Sequence, residues 1–195
     1  MEKAEQNKQS NSVENFLGPE TLNLLQVSEG SKVQIVNWWM RGGAETYVTD
    51  FVVEREQGVK EHLIAKACIK FGPREAMEEW LQRRRIMQVN GVIFPSLSAV
   101  DGATIIEEYI PYTFKEAYTR ADEDQRVILR ENYLKTFKRI YGAGFTPMSL
   151  HDVRSHGEDV VVIDVGEDIG GHTPIDSCDL SVIIKAESSF RGMIS

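Results

Sequence analysis

Residues 149–185 read SLHDVRSHGEDVVVIDVGEDIGGHTPIDSCDLSVIIK, and this stretch decides the fold. At its centre, residues 160–163 (VVVI) form a short run of β-branched side chains that is typical of a buried strand. Asp152 precedes this run, Asp164 ends it, and Gly166 follows two residues later. One carboxylate stands before a buried strand and one directly after it, so these two acids are the first candidates for a chemical role.

Composition narrows the class of protein. A chain of 195 residues suits one medium domain or two small lobes that share a cleft. The net charge of −8 argues against binding nucleic acid through a generally basic surface. It leaves ATP open as a ligand, because bound metal ions can carry the counter-charge.

The sequence also predicts where the protein resides. Its N-terminus is polar and lacks the apolar segment of a secretory signal, and no apolar run approaches the roughly 18 residues of a membrane span. Cys68 and Cys178 lie far apart and form no metal-ligand pair. We therefore expect a cytoplasmic protein with reduced thiols and no membrane contact.

Patterns along the chain divide it into a tail and two lobes. Residues 1–12 are polar, without aromatic side chains, and are expected to be disordered. Residues 13–110 follow the order β-β-β-α-β-β and predict a β-rich N-terminal lobe with one helix. Residues 111–195 predict a short, mostly helical C-terminal lobe, with a helical pattern throughout residues 114–141. The predicted fold class is α+β.

Two features of the N-terminal lobe suit an anionic ligand. Gly42 and Gly43 join two predicted strands, and so small a turn lets backbone N–H groups approach a phosphate, although an ordinary hairpin has the same pattern. Lys66 shares one face of the third strand with Ile64 and Cys68. A lysine partly desolvated there needs a phosphate or a carboxylate, unless its stem merely carries the charge out to the surface.

The helix predicted over residues 73–88 offers carboxylates for Lys66. Glu75, Glu78 and Glu79 lie outside its apolar face, and geometry alone does not choose among them. Glu75 and Glu78 suit a solvated first turn that matches the helix dipole, so we prefer Glu79 and leave the choice open.

The ordered motifs resemble the protein-kinase-like superfamily. Along roughly residues 33–190 they are GGAETY, LIAK, a Glu-bearing helix, NGVIFP, EEYIP, an HD pair, VVVIDVG and CDLSVIIKA. The chain is most similar to small atypical members: the RIO kinases, the small kinase subunit of the KEOPS tRNA-modifying complex, and the aminoglycoside phosphotransferases. Gly43-Ala44-Glu45 resembles the Gly-Ala-Glu turn of the KEOPS-type kinases. The resemblance implies a bilobal fold with a truncated C-terminal lobe, and ATP and Mg²⁺ as ligand and cofactor.

The same resemblance implies a role for each candidate in the N-terminal lobe. Lys66 would hold the α- and β-phosphates with Glu79 as its ion-pair partner. An adenine edge would pair with backbone groups where residues 105–111 (IIEEYIP) leave the sheet, although a plain linker has the same sequence. The expected nucleotide-binding residues are Gly42, Gly43, Lys66, Glu79, Glu108 and Ile110.

In the C-terminal lobe, Asp152 would be the catalytic base and Asp164 the magnesium ligand, whereas Asp179 would brace the catalytic loop. The family places an asparagine, its second metal ligand, five residues after the base. Here that position is Gly157, and only 12 residues lead from Asp152 to Asp164. The polar neighbours that could replace the asparagine are Ser155, His156, Glu158 and Asp159.

These features leave two classes of function open. Retention of Lys66, Asp152 and Asp164 favours a Mg²⁺-dependent phosphotransferase or slow ATPase that acts on a hydroxyl or on water. The missing asparagine and the short hairpin favour a pseudokinase that regulates a protein partner. An unrelated α+β domain is the third reading.

Overall fold

The computed structural model describes residues 32–41, 46–55, 58–68, 73–101, 104–145, 153–164, 174 and 179–195. Three candidate residues, Gly42, Gly43 and Asp152, lie outside these ranges, as does the predicted tail. The described residues are α+β, as predicted, and fall into two compact units. Residues 74–96 belong to the second unit, whereas the sequence prediction assigned the helix among them to the N-terminal lobe.

The first unit is a five-stranded antiparallel sheet with the order β1-β2-β3-β5-β4. Its strands are β1 (Lys32–Arg41), β2 (Thr46–Glu54), β3 (Lys60–Cys68), β4 (Leu97–Asp101) and β5 (Thr104–Glu108). The strand β3 is central, and it pairs with β2 on one side and β5 on the other. Residues 63–67 of β3 therefore have cross-strand neighbours on both sides.

Alternation of side chains gives this sheet two different faces. The apolar face is a small core of Phe51, Val53, Leu63, Ala65 and Ile106, all buried. The residues that alternate with these, including Lys66, have their side chains on the other face, as the sequence predicts for β3. That second face carries the charged residues described below.

The second unit contains four helices and a small sheet of order β6-β7-β8. The helices are α1 (Pro73–Val89), α2 (Phe114–Arg120), α3 (Glu123–Gly142) and α4 (Leu180–Ile194). The strands are β6 (Tyr112–Thr113), β7 (Val153–His156) and β8 (Asp159–Val162). None of the helices described here is both long and apolar enough to cross a membrane.

The continuous helical pattern predicted over residues 114–141 is wrong, because the chain breaks it at Ala121 and Asp122. Thr113 caps α2, and its side chain accepts a hydrogen bond from the backbone N–H of Glu116. Asp122 caps α3 in the same way, with Gln125 completing a capping box. Each box satisfies orphan backbone donors at a helix start, so two short-range caps override one long periodicity.

Two apolar clusters hold the second unit together. The larger joins α2, α3 and α4 through aromatic residues such as Phe114, Tyr133 and Phe190, and it includes Val160 of β8. The smaller is formed by Met87, Val92, Phe94, Ile140, Phe145 and Val162. The strand β8 contributes to both clusters, which makes it as buried as the VVVI run predicts.

Candidate functional site

Lys66 of β3 and Glu107 of β5 form an ion pair across the sheet. The register pairs Ile64 with Glu107 and Lys66 with Ile105, so Lys66 and Glu107 are diagonal neighbours on one face. Lys66 Nζ donates a hydrogen bond to Glu107 Oε1. The side chains of Lys66 and Glu107 are 17% and 1% exposed. Lys66, a partly desolvated lysine, is thus paired with an anion, and this anion is a carboxylate from another strand of the same sheet.

Glu79, the expected partner of Lys66, makes a different contact. It accepts a hydrogen bond from Arg83 one turn along α1, and its side chain is 61% exposed. Glu79 belongs to the second unit and Lys66 to the first, so their pairing stays a prediction. The observed carboxylate at Lys66 is that of Glu107.

A second contact between an acidic and a basic residue lies on the same face of the sheet. His62 Nε2 contacts Asp50 Oδ1, and Asp50 is buried although His62 is only partly so. The β2–β3 register pairs Asp50 with Ile64 and Val52 with His62, so this pair is also diagonal. Two buried carboxylates, each with a basic partner on β3, therefore flank Ile64.

Sequence reasoning missed Glu107 and Asp50 as components of this face. The available signal was the alternation of side chains along each strand. Each acid is next in sequence to a residue that is buried on the apolar face: Glu107 follows Ile106, and Asp50 precedes Phe51. An acid that alternates with core residues on a central strand lies on the opposite face and must be paired if that face is covered.

The predicted adenine contacts fall where β5 ends. Glu108 is the last residue of that strand, and residues 109–111 follow it outside any strand. Ile110 is buried. Beyond it, Tyr112 and Thr113 pair with Ser155 and Arg154 in the small sheet.

Asp164 follows the β7–β8 hairpin by two residues and is half-buried. The end of β8 is fixed by a hydrogen bond from the backbone N–H of Val162 to the carbonyl oxygen of Ile93 at 2.9 Å. The register pairs Val153 with Val162. The hairpin thus begins at Val153 and ends at Val162, and Asp164 follows at the end where these two residues pair.

The residues that could replace the missing asparagine lie at the other end of this hairpin. His156 pairs with Asp159 beside the turn, and Gly157 adopts a positive φ of 61°. At about 3.3 Å per residue, the turn is roughly 10 Å from the end that bears Asp164. His156, Glu158 and Asp159 are exposed. These three residues therefore lie as exposed turn residues, at the opposite end of the hairpin from Asp164.

Ser155 is the fourth of these residues, and its hydroxyl forms a hydrogen bond within the turn. Ser155 is buried, and its Oγ donates to the carbonyl oxygen of Gly157 at 2.8 Å. Nowhere in the described ranges do three or more His, Cys, Asp or Glu side chains gather as a metal site. Asp164 lies within the described ranges, and its role as a magnesium ligand stays a prediction.

Asp179 caps the last helix. Its Oδ1 accepts a hydrogen bond from the backbone N–H of Ser181 at 2.7 Å, at the start of α4. Hydrogen bonds from the side chain and backbone of Ser181 hold the pKa of Asp179 below its usual value. The bracing role that the family resemblance implies for Asp179 stays a prediction, because the expected loop lies outside the described residues.

A cavity of about 500 Å³ lies within the second unit, and none of these candidates lines it. Its walls are Asn90, Glu131, Leu134, Lys135, Lys138, Arg139 and Gly142.

No model of a known protein family matches this sequence, and no curated protein matches it significantly. The candidate site therefore rests on the geometry of the chain's own residues.

Proposed function

We propose that this chain is a cytoplasmic, ATP-binding, kinase-like protein that acts as a Mg²⁺-dependent phosphotransferase or slow ATPase. The observation that carries the proposal is Lys66, a lysine on the central strand of an antiparallel sheet that is held by a buried carboxylate. An ammonium group has three donors, and phosphate oxygens are acceptors that it can bind.

The other residues complete the proposed function. Asp164 offers Mg²⁺ the oxygen ligand that this ion prefers, and a site with one or two carboxylates suits an ion that also binds phosphates. Bound there, the metal would neutralise the charge of the phosphates. The backbone at Glu108 and Ile110 would contact adenine, the turn at Gly42 and Gly43 would face the phosphates, and Asp152 would orient the hydroxyl or water.

A pseudokinase that regulates a protein partner is the second candidate. One observation favours it: the polar residues nearest the missing asparagine lie at the turn of the β7–β8 hairpin, roughly 10 Å from its Asp164 end. A single metal held chiefly by Asp164 would support binding better than rapid transfer. Turnover well below the usual kinase range of about 1–100 s⁻¹ is therefore expected.

The test is thermal denaturation with millimolar ATP, with Mg²⁺ and with a chelator. A ligand that binds only the folded state raises the melting temperature, and we expect this rise to require Mg²⁺. Asp164→Asn should abolish it, whereas Asp159→Asn, the same substitution at the turn end of the hairpin, should retain it. An unmoved melting temperature in the unmodified protein would refute nucleotide binding.

A turnover assay then separates the two candidates. Asp152→Asn should leave ATP binding intact and lower turnover by about 10²–10⁴-fold if Asp152 is the base. ATP binding without turnover in the unmodified protein would favour the pseudokinase.

A further inference from the structure

We propose that Glu107 is the carboxylate that positions Lys66 for the nucleotide phosphates, the task that sequence reasoning gave to a glutamate of α1. This inference rests on the proposed function and deepens it, because it names a positioning residue on the sheet. It also defines what the pair recognises, which is the phosphate end of the nucleotide.

Burial distinguishes the two carboxylates. The side chain of Glu107 is 1% exposed and that of Glu79 is 61% exposed. A carboxylate out of contact with water needs a cation, and the low local dielectric strengthens its hold on that cation. An exposed carboxylate is already hydrated, and its ion pair contributes little. Glu107 therefore constrains the ammonium of Lys66 far more strongly than a solvated helix residue would.

Register adds a second constraint. The pairs Ile64–Glu107 and Lys66–Ile105 fix which side chains are diagonal neighbours, and a slip by one residue would move Glu107 to the apolar face. Ile105 is buried opposite Lys66, so the stem of the lysine lies against an apolar side chain. The direction of the ammonium is thus set by the sheet.

Binding of ATP and of adenosine, measured by calorimetry in the presence of Mg²⁺, tests this role. Glu107→Gln should weaken ATP binding by about tenfold or more, as expected when a hydrogen bond between charged groups is lost. Adenosine has no phosphates, so its affinity should stay within about twofold. Glu107→Asp keeps the charge but draws the carboxylate back by one methylene, and the same selective loss is expected if Glu107→Gln does not fold.

One matched variant provides the control. Glu61→Gln removes another ion-paired glutamate of the same sheet, which contacts Arg55 Nη2 at 2.8 Å, and both affinities should be those of the unmodified protein. Glu79→Gln is measured beside it as the test of the rival partner on α1.

Each other outcome is decisive. If the unmodified protein binds ATP and the Glu107 variants bind it equally well, the inference is wrong and the proposed function stands. A selective loss in Glu79→Gln alone would return the role to the helix. Equal loss of ATP and adenosine in the Glu107 variants would indicate a general structural defect and overturn positioning. If the unmodified protein binds neither ligand, the proposed function fails and this inference fails with it.

Discussion

Arg139 Nη1 donates a hydrogen bond to the carbonyl oxygen of Gly91 at 2.7 Å, which ties the turn after α1 to the last part of α3. Gly91 has a positive φ of 80°, and a Cβ added there would meet the Arg139 guanidinium at 3.1–3.3 Å. This turn leads into Val92 and Phe94, which belong to the smaller apolar cluster of the second unit.

We expect Gly91→Ala to destabilise the protein by two effects. The left-handed backbone costs about 1–2 kcal/mol with a side chain present, and displacing Arg139 adds about 1 kcal/mol. Gly157→Ala is the matched control, because its φ is also positive but its Cβ would meet nothing within 4 Å. Urea denaturation should show the larger loss for Gly91→Ala, and equal losses would contradict a role for the Arg139 contact.

The Lys66–Glu107 pair predicts a large asymmetry between single and double substitutions. Lys66→Met should cost about 3–5 kcal/mol, because it leaves the buried Glu107 carboxylate without this cation. Adding Glu107→Leu should recover most of that loss, since both charges are then gone. Lys60→Met, at the exposed start of β3, should change the free energy of unfolding by less than about 0.5 kcal/mol.

Arg84 is buried in the second unit and should be essential for stability. Its guanidinium lies 5.2 Å from the ring centroid of Trp80 and 5.0 Å from that of Phe94, and it donates to the carbonyl oxygen of Pro95. Arg84→Met keeps an apolar stem but removes these contacts, and we expect a cost of about 2–4 kcal/mol. The same substitution at the adjacent, exposed Arg85 should be nearly neutral, and similar melting temperatures for the two variants would refute this reading.

The capping box of α2 predicts a pH dependence. Hydrogen bonds from the backbone and side chain of Thr113 lower the pKa of Glu116. A lowered pKa in the folded state means that this carboxylate stabilises the fold above its unfolded pKa of about 4.3, and that the contribution is lost as pH falls through the folded value. Glu116→Gln keeps the cap but cannot titrate, so its urea midpoint should fall less between pH 7 and pH 3. An identical fall in both proteins would contradict the linkage.

Local signals in the sequence predicted several of the described elements. The alternation of apolar and polar side chains along β3 predicted both the strand and the face on which Lys66 lies. The helix end predicted from Asn90-Gly91 agrees with a helix that ends at Val89. The α+β class followed from the order of these elements. Each of these features depends on neighbours within a few residues, where periodicity and turn chemistry are informative.

The missed features depend on contacts between distant parts of the chain. Glu107 meets Lys66 across 41 residues of sequence, and only the β3–β5 register brings them together. Such register is fixed by the pairing of whole strands, so the sequence of one strand does not reveal it.

The position of the Lys66–Glu107 pair also determines what can disturb it. Both residues lie on adjacent strands that are joined by backbone hydrogen bonds, so their separation changes only by side-chain rotation or by opening of the β3–β5 ladder. A ladder at the centre of a sheet opens far less often than a helix end frays. The contact between Lys66 and Glu107 is therefore expected to persist for as long as the β3–β5 ladder stays closed.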